Sequence, residues 1–359
     1  MKIIHCSDLH LDSKMQTNLS KEKAKERNNE ILITFQNMIK YAKDNLVKII
    51  IIAGDMFDRK NVSVKAKNIV KYAIESNPEI DFIYLKGNHD EMAFLSEEEI
   101  PDNLKLFDSK EWIKYEYEDG LVITGREFEE DNNDIYSSLI LNKSDLNIVV
   151  MHGQESKNDV KDKTEIINLK ELKNKNIDYL ALGHIHAYKK EKLDNRGNYC
   201  YAGCLEGRGF DECGKKGFVL LNIENKKIDT EFIEFAQREI CEIHIDVSDL
   251  LTTSEIEHLI CKELENIKKE NMIKIILEGK VSIDSERDIN YLIKRFENEV
   301  YFIKIYDETT LKIDYMDYKN DISLKGEFIR LVLQQDITEE EKREIITTGI
   351  RALSGEEVD

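Results

Sequence analysis

The amino-acid sequence predicts an α/β fold in which a buried parallel sheet is covered by helices. Two observations predict this class: short apolar, β-branched runs recur, and stretches with helical spacing lie between them, at 22–44 and 64–76. Apolar runs that do not alternate with polar residues indicate strands buried on both faces. The runs that predict this sheet are 3–4, 47–53, 82–85, 148–151 and 179–182.

Three later apolar runs predict consecutive strands that form a second sheet. A second sheet would make the first 235 residues a sandwich, since two sheets bury their apolar faces against each other. The three runs are 199–201, 218–223 and 228–235.

Beyond residue 235 the pattern predicts a smaller α/β unit. Ser254 is the expected N-cap of its first helix, and Glu257, three residues later, would complete a capping box. The predicted elements, in chain order, are a strand at 242–247, a helix at 254–267, a strand at 272–278, a helix at 285–296 and a strand at 299–306.

Residues 321–359 predict a helical tail. Two amphipathic helices are expected from Ser323 onwards, and Thr338 is the expected N-cap of the second, because three glutamates follow it in the first turn. The chain is therefore expected to contain three segments: 1–235 as the main domain, 236–320 as a small α/β cap domain and 321–359 as the tail.

Composition limits the classes of protein to which this chain can belong. Its 359 residues and 41% hydrophobic content suit a globular protein with a full core. No apolar run approaches the ~18 residues of a membrane span, and the N-terminus reads as a first strand instead of a signal peptide, so we expect a cytoplasmic protein. Cys200, Cys204 and Cys213 are close together but lack the paired C-x-x-C spacing of a zinc site, so the six cysteines are expected to be free thiols, with structural zinc as the alternative. A net charge of −20 predicts weak non-specific binding to nucleic acid.

Five short clusters of Asp, Asn and His are the most informative feature of the chain, because each follows one of the buried runs. Polar side chains at the ends of parallel strands meet at one edge of a sheet, where α/β proteins carry their sites. The clusters are Ser7-Asp8-Leu9-His10, Gly54-Asp55-Met56-Phe57-Asp58-Arg59, Gly87-Asn88-His89-Asp90, His152-Gly153 and Gly183-His184-Ile185-His186.

These clusters predict a dinuclear metal site. Imidazole, carboxylate and amide ligands suit borderline to hard divalent ions such as Mn, Fe or Zn. Two such ions about 4 Å apart clamp the attacking and leaving oxygens of an in-line phosphoryl displacement, which indicates a phosphoesterase. The seven expected ligands are Asp8, His10, Asp55, Asn88, His152, His184 and His186.

Further residues are candidates for acid chemistry and for binding the substrate. His89 is assigned to protonate the leaving oxygen, because an imidazole titrates near neutrality. Asp58 is expected to orient this catalytic histidine; the alternative is a local salt bridge that stabilises its loop. Four basic residues are candidate phosphate contacts, with ordinary solvated or salt-bridged side chains as the alternative: Arg59, Lys60, Arg126 and Arg208.

The five clusters, in this order, resemble those of the calcineurin-like metallophosphoesterase superfamily over roughly residues 1–235. The stretches at 6–12 and 54–59 resemble SbcD-type DNA repair exonucleases, and those at 201–212 and 349–358 resemble the YhaO-like branch. Ala202 and Cys204 depart from that pattern, where proline and Ser or Thr are usual. Neither residue is an expected ligand, so the departures concern the shape of a loop.

The resemblance implies a fold and a ligand assignment. The fold is a four-layer α-β-β-α sandwich with a small α/β cap domain and a helical tail. Manganese is the implied ion, at two sites that share Asp55. The first would be held by Asp8, His10, Asp55 and His186, and the second by Asp55, Asn88, His152 and His184.

The resemblance also implies an activity and partners. The activity is metal-dependent hydrolysis of phosphodiester bonds in DNA during end processing and repair. The resemblance implies an exonuclease, to which endonuclease activity is a possible addition. The implied partners are an SMC-like (SbcC-type) coiled-coil ATPase, held by the tail, and a second copy of the chain. The apolar residues expected to face the ATPase, or alternatively to pack on the cap domain, are Phe328, Ile329, Leu331, Val332 and Leu333.

Two other functions remain open from the sequence. One is a dinuclear metallophosphoesterase that acts on a small nucleotide or another phosphodiester. The other is a catalytically weak regulatory subunit of an SMC-like ATPase.

Overall fold

The chain forms two compact units, Met1–Ile240 and Cys241–Asp359. The predicted tail and the predicted cap, apart from residues 236–240, fall within the second unit. The structure, a computed structural model, describes residues 1–15, 19–58, 62–87, 90, 100–128, 134–156, 166–282, 285–312 and 321–353.

The first unit contains strands β1 to β14 and helices α1 to α3. The strands are, in order, Lys2–Cys6, Ile49–Ala53, Asp81–Leu85, Leu104–Leu106, Ile113–Glu116, Leu121–Gly125, Leu146–His152, Gln154–Ser156, Ile166–Asn168, Tyr179–Gly183, Lys189–Lys192, Asn198–Tyr201, Gly217–Glu224 and Lys227–Glu234. The helices are Lys21–Asp44, Val64–Glu75 and Leu169–Leu172.

Two six-stranded sheets organise this unit. The first has the strand order β14-β13-β1-β2-β3-β4 and the second β11-β12-β10-β7-β6-β5. In the first sheet β1 to β4 are parallel, and in the second β12, β10, β7 and β6 are parallel. All five predicted runs that precede the polar clusters are strands of these parallel blocks. Their carboxyl ends therefore meet at one end of the sandwich, here called the metal edge.

Apolar side chains that alternate along each strand build three layers of core. Ile3 and Ile51 of the first sheet meet Ile148 and Ala181 of the second in the interior of the sandwich. On the outer face of the first sheet, apolar residues of β1 and β2 pack against α1 and α2. On the outer face of the second, residues of β7 and β10 pack against α3 and the chain around Leu139. Burial of each such aliphatic side chain stabilises the folded state by about 1.5–3 kcal/mol relative to leaving it exposed.

Local capping fixes the two long helices. The Ser20 side chain accepts a hydrogen bond from the backbone N–H of Lys23 at the start of α1, and Ser63 does the same for Ala66 in α2. Such caps satisfy backbone donors that the first turn of a helix leaves without partners. The predicted helices at 22–44 and 64–76 are confirmed within one residue.

The second unit places two helices on one face of a small sheet and ends in a helical pair. Ile275 and Ile303 of the sheet pack against Ile260 of α4 and Leu292 of α5. Strands β15 to β19 are Ile240–Asp246, Met272–Glu278, Lys280–Val281, Phe302–Asp307 and Thr310–Leu311. Helices α4 to α7 are Thr253–Leu264, Ile289–Phe296, Leu324–Leu333 and Glu339–Leu353.

The predicted α/β class with two sheets is confirmed, and two details are corrected. Only the first of the three later runs, β12, lies in the second sheet. The other two extend the first sheet, with β13 antiparallel to β1 and β14 antiparallel to β13. Helix α4 begins after Thr252, whose capping box uses Glu255, instead of after Ser254. The same Ser/Thr-x-x-Glu pattern occurs twice here, two residues apart. Among the described residues no helix has the length and apolar content needed to cross a membrane.

Candidate metal centre

The predicted ligand residues that the structure describes lie at the metal edge. Asp8 and His10 follow β1, Asp55 follows β2, and His152 is the last residue of β7. Four of the predicted ligands have left-handed backbone: Asp8, His10, Asp55 and His184, with φ of 50°, 43°, 52° and 102°. Non-glycine residues seldom adopt this conformation, and it concentrates at functional sites. The loops are thus turned so that side chains point into the edge.

One group of side chains brings together Asp8, His10 and His186, whose potential ligand atoms lie within 4.8 Å of one another. The Nε2 atoms of His10 and His186 are 3.1 Å apart, and Asp8 Oδ1 is 3.9 Å from the Nε2 atom of His186. Two imidazoles and a carboxylate therefore converge on one point.

A second group brings together Asp8, Asp55 and His152, again within 4.8 Å. Asp55 Oδ2 is 3.4 Å from the Nε2 atom of His152 and 3.9 Å from that of His10. Asp55 therefore lies between the two groups, and Asp8 belongs to both. Burial lowers the pKa of His152, but the Asp55 carboxylate, the charge of Asp8 and the Ala53 carbonyl outweigh it and raise the pKa to about 9. The centre thus attracts positive charge.

Polar partners of Nδ1 direct the opposite ring nitrogen of three histidines into the edge. His152 Nδ1 donates to the Ala53 carbonyl at 2.9 Å, and His186 Nδ1 lies 2.7 Å from Glu212 Oε1. His10 Nδ1 faces Asp58 Oδ1 at 3.3 Å. A proton on Nδ1, as the Ala53 carbonyl requires of His152, leaves a lone pair on Nε2, which is the form of histidine that binds metals.

His184 contributes to the centre through its backbone in this structure. Its N–H donates to Asp8 Oδ1 at 2.9 Å, and its ring stands edge-on to that of His152 with centroids 5.4 Å apart. Among the described residues the ring belongs to neither of the two groups. The remaining predicted ligand, Asn88, and three other predicted site residues, His89, Arg59 and Lys60, lie outside the described residues.

Three glycines permit this close packing. A Cβ atom on Gly54 would lie 2.1 Å from His152 Nδ1, and one on Gly87 would lie 2.2 Å from Asp55 Oδ1. A Cβ on Gly183 would lie 1.9 Å from the Ala53 carbonyl oxygen. Separations below 3.0 Å are steric clashes, so these positions require glycine. The Gly-Asp, Gly-Asn and Gly-His pairs in the sequence therefore let backbone and ligands approach closely.

Sequence reasoning gave no role to Glu212, which is buried beside His186. Its carboxylate receives the His186 imidazole and three hydrogen bonds from Arg208. Burial raises the pKa of Glu212, but His186 and Arg208 outweigh it and hold the pKa well below its ordinary value. Glu212 follows His186 by 26 positions, so no local spacing connects the two. The only signal was the stretch at 201–212 that resembles the YhaO-like branch.

Asp90 was also given no role, and it ties two site loops together. Its carboxylate accepts hydrogen bonds from the backbone N–H groups of Met56, Phe57 and Gly87 at 3.0–3.2 Å. The first two follow Asp55, and Gly87 precedes Asn88. Burial raises the pKa of Asp90, and the Phe57 N–H opposes that rise only in part. Asp90 thus fixes the loop after β2 against the loop after β3.

The described basic residues among the predicted phosphate contacts are both engaged in ion pairs. Arg126 is 4% exposed and donates to Ser109, Asp134 and Ser138. Arg208 is paired with Asp58 and Glu212. Both therefore have the contacts of the alternative interpretation, a salt-bridged arginine. Asp58 contacts His10 and Arg208, while its predicted partner His89 lies outside the described residues.

The donor set of the metal edge fits two divalent ions. Imidazole nitrogens and carboxylate oxygens are the ligands preferred by borderline to hard divalent metals. Two overlapping groups of such atoms, each within 4.8 Å, provide a carboxylate-rich and an imidazole-rich half. At Gly54, Gly87 and Gly183 even a single added Cβ would clash with a ligand or with the backbone beside it. Carboxylates buried this closely to one another need compensating positive charge.

Comparison with known proteins identifies relatives among the phosphoesterases. A family model described as calcineurin-like phosphoesterase matches residues 1–188. The uncharacterized metallophosphoesterase YhaO of Bacillus subtilis is 25% identical over 78% of this chain and 72% of its own length. The DNA double-strand break repair protein Mre11 of Sulfolobus acidocaldarius is 25% identical over 99% of this chain and 100% of its own. Mre11 of Saccharolobus solfataricus is 25% identical over 100% and 96%.

Proposed function

This chain belongs to the calcineurin-like phosphoesterase family, and on that premise we propose that it is a metal-dependent nuclease that hydrolyses phosphodiester bonds in DNA. The family membership predicted from the five clusters is confirmed. The chain is accordingly a hydrolase of phosphoesters whose fold is built for two divalent ions. The DNA substrate, the identity of the ions and the residue roles are parts of the proposal.

The proposed ligands follow the arrangement at the metal edge. Asp8, His10, Asp55 and His186 hold the first ion. Asp55, Asn88, His152 and His184 hold the second, and Mn²⁺ is the proposed ion. The position of Asp55 between His10 and His152 supports its role as the shared ligand. When bound, the ions supply positive charge to the phosphoryl oxygens and activate water.

The protein's own groups orient the ligands and handle the proton of the leaving group. The Nδ1 atoms of His10, His152 and His186 face Asp58, the Ala53 carbonyl and Glu212, and these acceptors favour the tautomer that presents Nε2. His89 is proposed to protonate the departing sugar oxygen, since general acids of this kind contribute about 10²–10⁴-fold. Asp90 supports both by fixing the loops that carry Asp55 and Asn88.

DNA is proposed as the substrate because the similarity to the Mre11 proteins extends over the whole chain. The two Mre11 proteins align with 99–100% of this chain, which includes the second unit as well as the phosphoesterase unit. A second unit retained along with the metal edge fits a large substrate, because a small phosphoester needs less surface. The net charge of −20 predicts that the chain alone binds DNA weakly and gains affinity from a partner.

The proposed partner is an SMC-like coiled-coil ATPase bound by the helical pair α6–α7. Ile329 and Val332, two of the residues predicted to face it, are buried against Ile346 and Ile350 of α7. Leu331, a third, is 55% exposed. The partner surface is therefore proposed to consist of the exposed apolar residues Ile322, Leu324 and Leu331. A second copy of the chain and a cytoplasmic location remain parts of the proposal.

A pocket beside the metal edge favours one alternative, a phosphoesterase of small nucleotides. The pocket has a volume of about 340 Å³ and is lined by Ser13, Lys14, Asp58, Arg208 and Glu212, among others. Ligand pockets of small molecules begin at about 300 Å³. A nucleotide monoester or a small cyclic phosphodiester is thus a second candidate substrate. The third candidate, a catalytically weak regulatory subunit, requires an inactive centre.

Cleavage of an end-labelled DNA duplex by the purified chain with Mn²⁺ tests the proposal. Wild type, Asn88→Ala and His89→Ala are compared on the duplex, on nucleotide monoesters and on bis-p-nitrophenyl phosphate. We expect both variants to lose duplex cleavage. His89→Ala should retain more activity on bis-p-nitrophenyl phosphate than on DNA, because p-nitrophenolate leaves without a proton.

Each outcome assigns one of the candidate functions. Duplex cleavage that needs Mn²⁺ and both residues supports the nuclease. Turnover of nucleotides without any duplex cleavage, even after addition of an SMC-like ATPase, identifies the small-substrate phosphoesterase. An absence of turnover on every substrate indicates the regulatory subunit.

A further inference from the structure

In the group formed by Asp8, His10 and His186, each histidine has a carboxylate next to the ring nitrogen that points away from the centre. Asp58 Oδ1 lies 3.3 Å from His10 Nδ1, and Glu212 Oε1 lies 2.7 Å from His186 Nδ1. The two Nε2 atoms, on the opposite sides of the rings, are 3.1 Å apart. The orientation of each ring at the metal edge is thus set by one acidic side chain.

A single guanidinium joins these two carboxylates. Arg208 Nη1 donates to Asp58 Oδ1 at 2.8 Å, while its Nη2 and Nε donate to Glu212 Oε1 at 2.7 and 3.0 Å. The backbone N–H of Arg208 also donates to Glu212 Oε2, at 2.8 Å. Because a guanidinium is planar and its donors are fixed in a fork, Arg208 sets the separation of the two carboxylates.

The loop that carries Arg208 and Glu212 is anchored to helix α1. Arg27, fully buried in that helix, donates to the Glu206 carboxylate at 3.2 Å and to the Gly207 carbonyl at 2.6 Å. Thr34 donates to the other oxygen of Glu206 at 2.9 Å. The positions of Arg208 and Glu212 therefore depend on helix α1.

We propose that Arg208 and Glu212, together with Asp58, are positioning residues that hold Nε2 of His10 and His186 at the first metal. The inference rests on the proposed metal centre and assigns Arg208 a role other than contact with the phosphate of the substrate. Its charge supports this assignment. Two carboxylates lie within 3.0 Å of the guanidinium, so the three groups together carry no net positive charge to attract a phosphodiester.

Mn²⁺ binding to the full-length, metal-free chain tests this inference without reference to any substrate. Isothermal titration calorimetry on wild type is compared with Arg208→Met, Glu212→Gln and Asp58→Asn. Removing a group that orients a metal-bound histidine typically weakens metal affinity about 10–100-fold, and we expect a loss of that size at one of the two Mn²⁺ sites. Arg208→Lys keeps the charge but cannot bridge both carboxylates, so it should restore only part of the affinity.

The ion pair of Arg196 and Asp178 provides a matched control. Its side chains are 26% and 18% exposed, compared with 21% and 20% for Arg208 and Asp58, and it precedes β10 at the end of the sandwich opposite the metal edge. Arg196→Met and Asp178→Asn should leave Mn²⁺ binding unchanged. Circular dichroism of each variant separates loss of the site from loss of the fold.

Three results would overturn the inference. Wild-type Mn²⁺ affinity in folded Arg208→Met and Glu212→Gln would remove the positioning role and leave the metal centre intact. A raised KM of Arg208→Met for DNA with unchanged Mn²⁺ affinity would make Arg208 a substrate contact instead. A wild-type chain that binds no Mn²⁺ would overturn the metal centre and this inference together.

Discussion

The two ends of the sandwich use the same backbone conformation for different purposes. At the metal edge, left-handed backbone occurs at ligand residues such as Asp8, His10 and Asp55. At the opposite end, where the parallel strands begin, it occurs in turns, for example at Asn174 and Asn176 before β10. Asparagine tolerates this conformation at little cost, and there it only reverses the chain. At the metal edge the same conformation directs carboxylates and imidazoles toward one another, although the carboxylates repel each other and all these groups lose hydration on burial.

The two ends also differ in how arginine is used. Arg196 closes the opposite end by pairing with Asp178 and donating to the Lys143 and Asp145 carbonyls. Its partners are loops, so its loss should affect only stability. Arg208 has two carboxylate partners, each of which touches a histidine of the centre. Both ends contain similar ion pairs, so the metal edge differs in that its ion pairs contact histidines of the centre.

The largest expected effect is from removal of Asp55. Asp55→Ala deletes the carboxylate between His10 and His152, so we expect loss of Mn²⁺ binding at both sites. Metal-dependent hydrolysis of bis-p-nitrophenyl phosphate should fall by more than the about 10–100-fold typical of groups that only support a ligand. Asp178→Ala, at the opposite end, should lose stability in urea unfolding and retain activity. Equal loss of activity in the two variants would contradict the difference between the ends.

A second prediction compares two glycines at which an added Cβ would clash with a backbone carbonyl oxygen. A Cβ on Gly183 would lie 1.9 Å from the Ala53 carbonyl oxygen, and one on Gly197 would lie 2.2 Å from that of Ile177. Both Gly183→Ala and Gly197→Ala should lose about 1–3 kcal/mol in the free energy of unfolding, measured with urea in EDTA. Only Gly183→Ala should also weaken Mn²⁺ binding, because the added Cβ lies 2.8 Å from His152 Nδ1.

Gly197→Ala serves as the control for loss of stability alone. Weaker Mn²⁺ binding in that variant would mean that the centre responds to general destabilisation. Unchanged Mn²⁺ binding in Gly183→Ala would mean that His152 is not held by this contact.

Much of the metal edge could be predicted because its residues are local to strands. Each apolar run had the length of a strand, and each polar cluster came directly after it, so strand ends and side chains shared one position along the chain. The parallel pairing of β1 with β2 then brings Asp8 beside Asp55, and that of β7 with β10 brings His152 beside Gly183. Packing of one sheet on the other joins the two pairs.

The rest depends on contacts between loops that no spacing encodes. Glu212 reaches His186, and Arg208 reaches Asp58 over 150 positions, because Arg27 of α1 anchors their loop from the outside. The error in placing β13 and β14 has a similar origin. Their apolar patterns fit a strand in either sheet, and only the pairing of β13 with β1 decides between them. The N-cap of α4 was ambiguous because two overlapping patterns satisfied the same rule.

The smallest predicted effect concerns two buried imidazoles that differ in their neighbours. His5 lies in the interior of the first unit with its Nδ1 2.9 Å from the Tyr179 hydroxyl, and burial lowers its pKa to about 3. His152 is similarly buried, but Asp55 and Asp8 raise its pKa to about 9. Carboxylates thus distinguish a histidine of the metal edge from one of the core.

Stability against pH measures the His5 side of that difference. The neutral His5 of the folded state contributes stability that is present above the unfolded pKa near 6.5 and is lost as pH falls toward 3. Between pH 7 and 5.5 this loss is about 1 kcal/mol, which is the energy of protonating His5 in the unfolded chain alone. Urea unfolding in EDTA should therefore show wild type losing about 1 kcal/mol more than His5→Gln over this interval. His152 titrates in both proteins and cancels in the comparison, so an equal loss would mean that His5 gains a proton in the folded core.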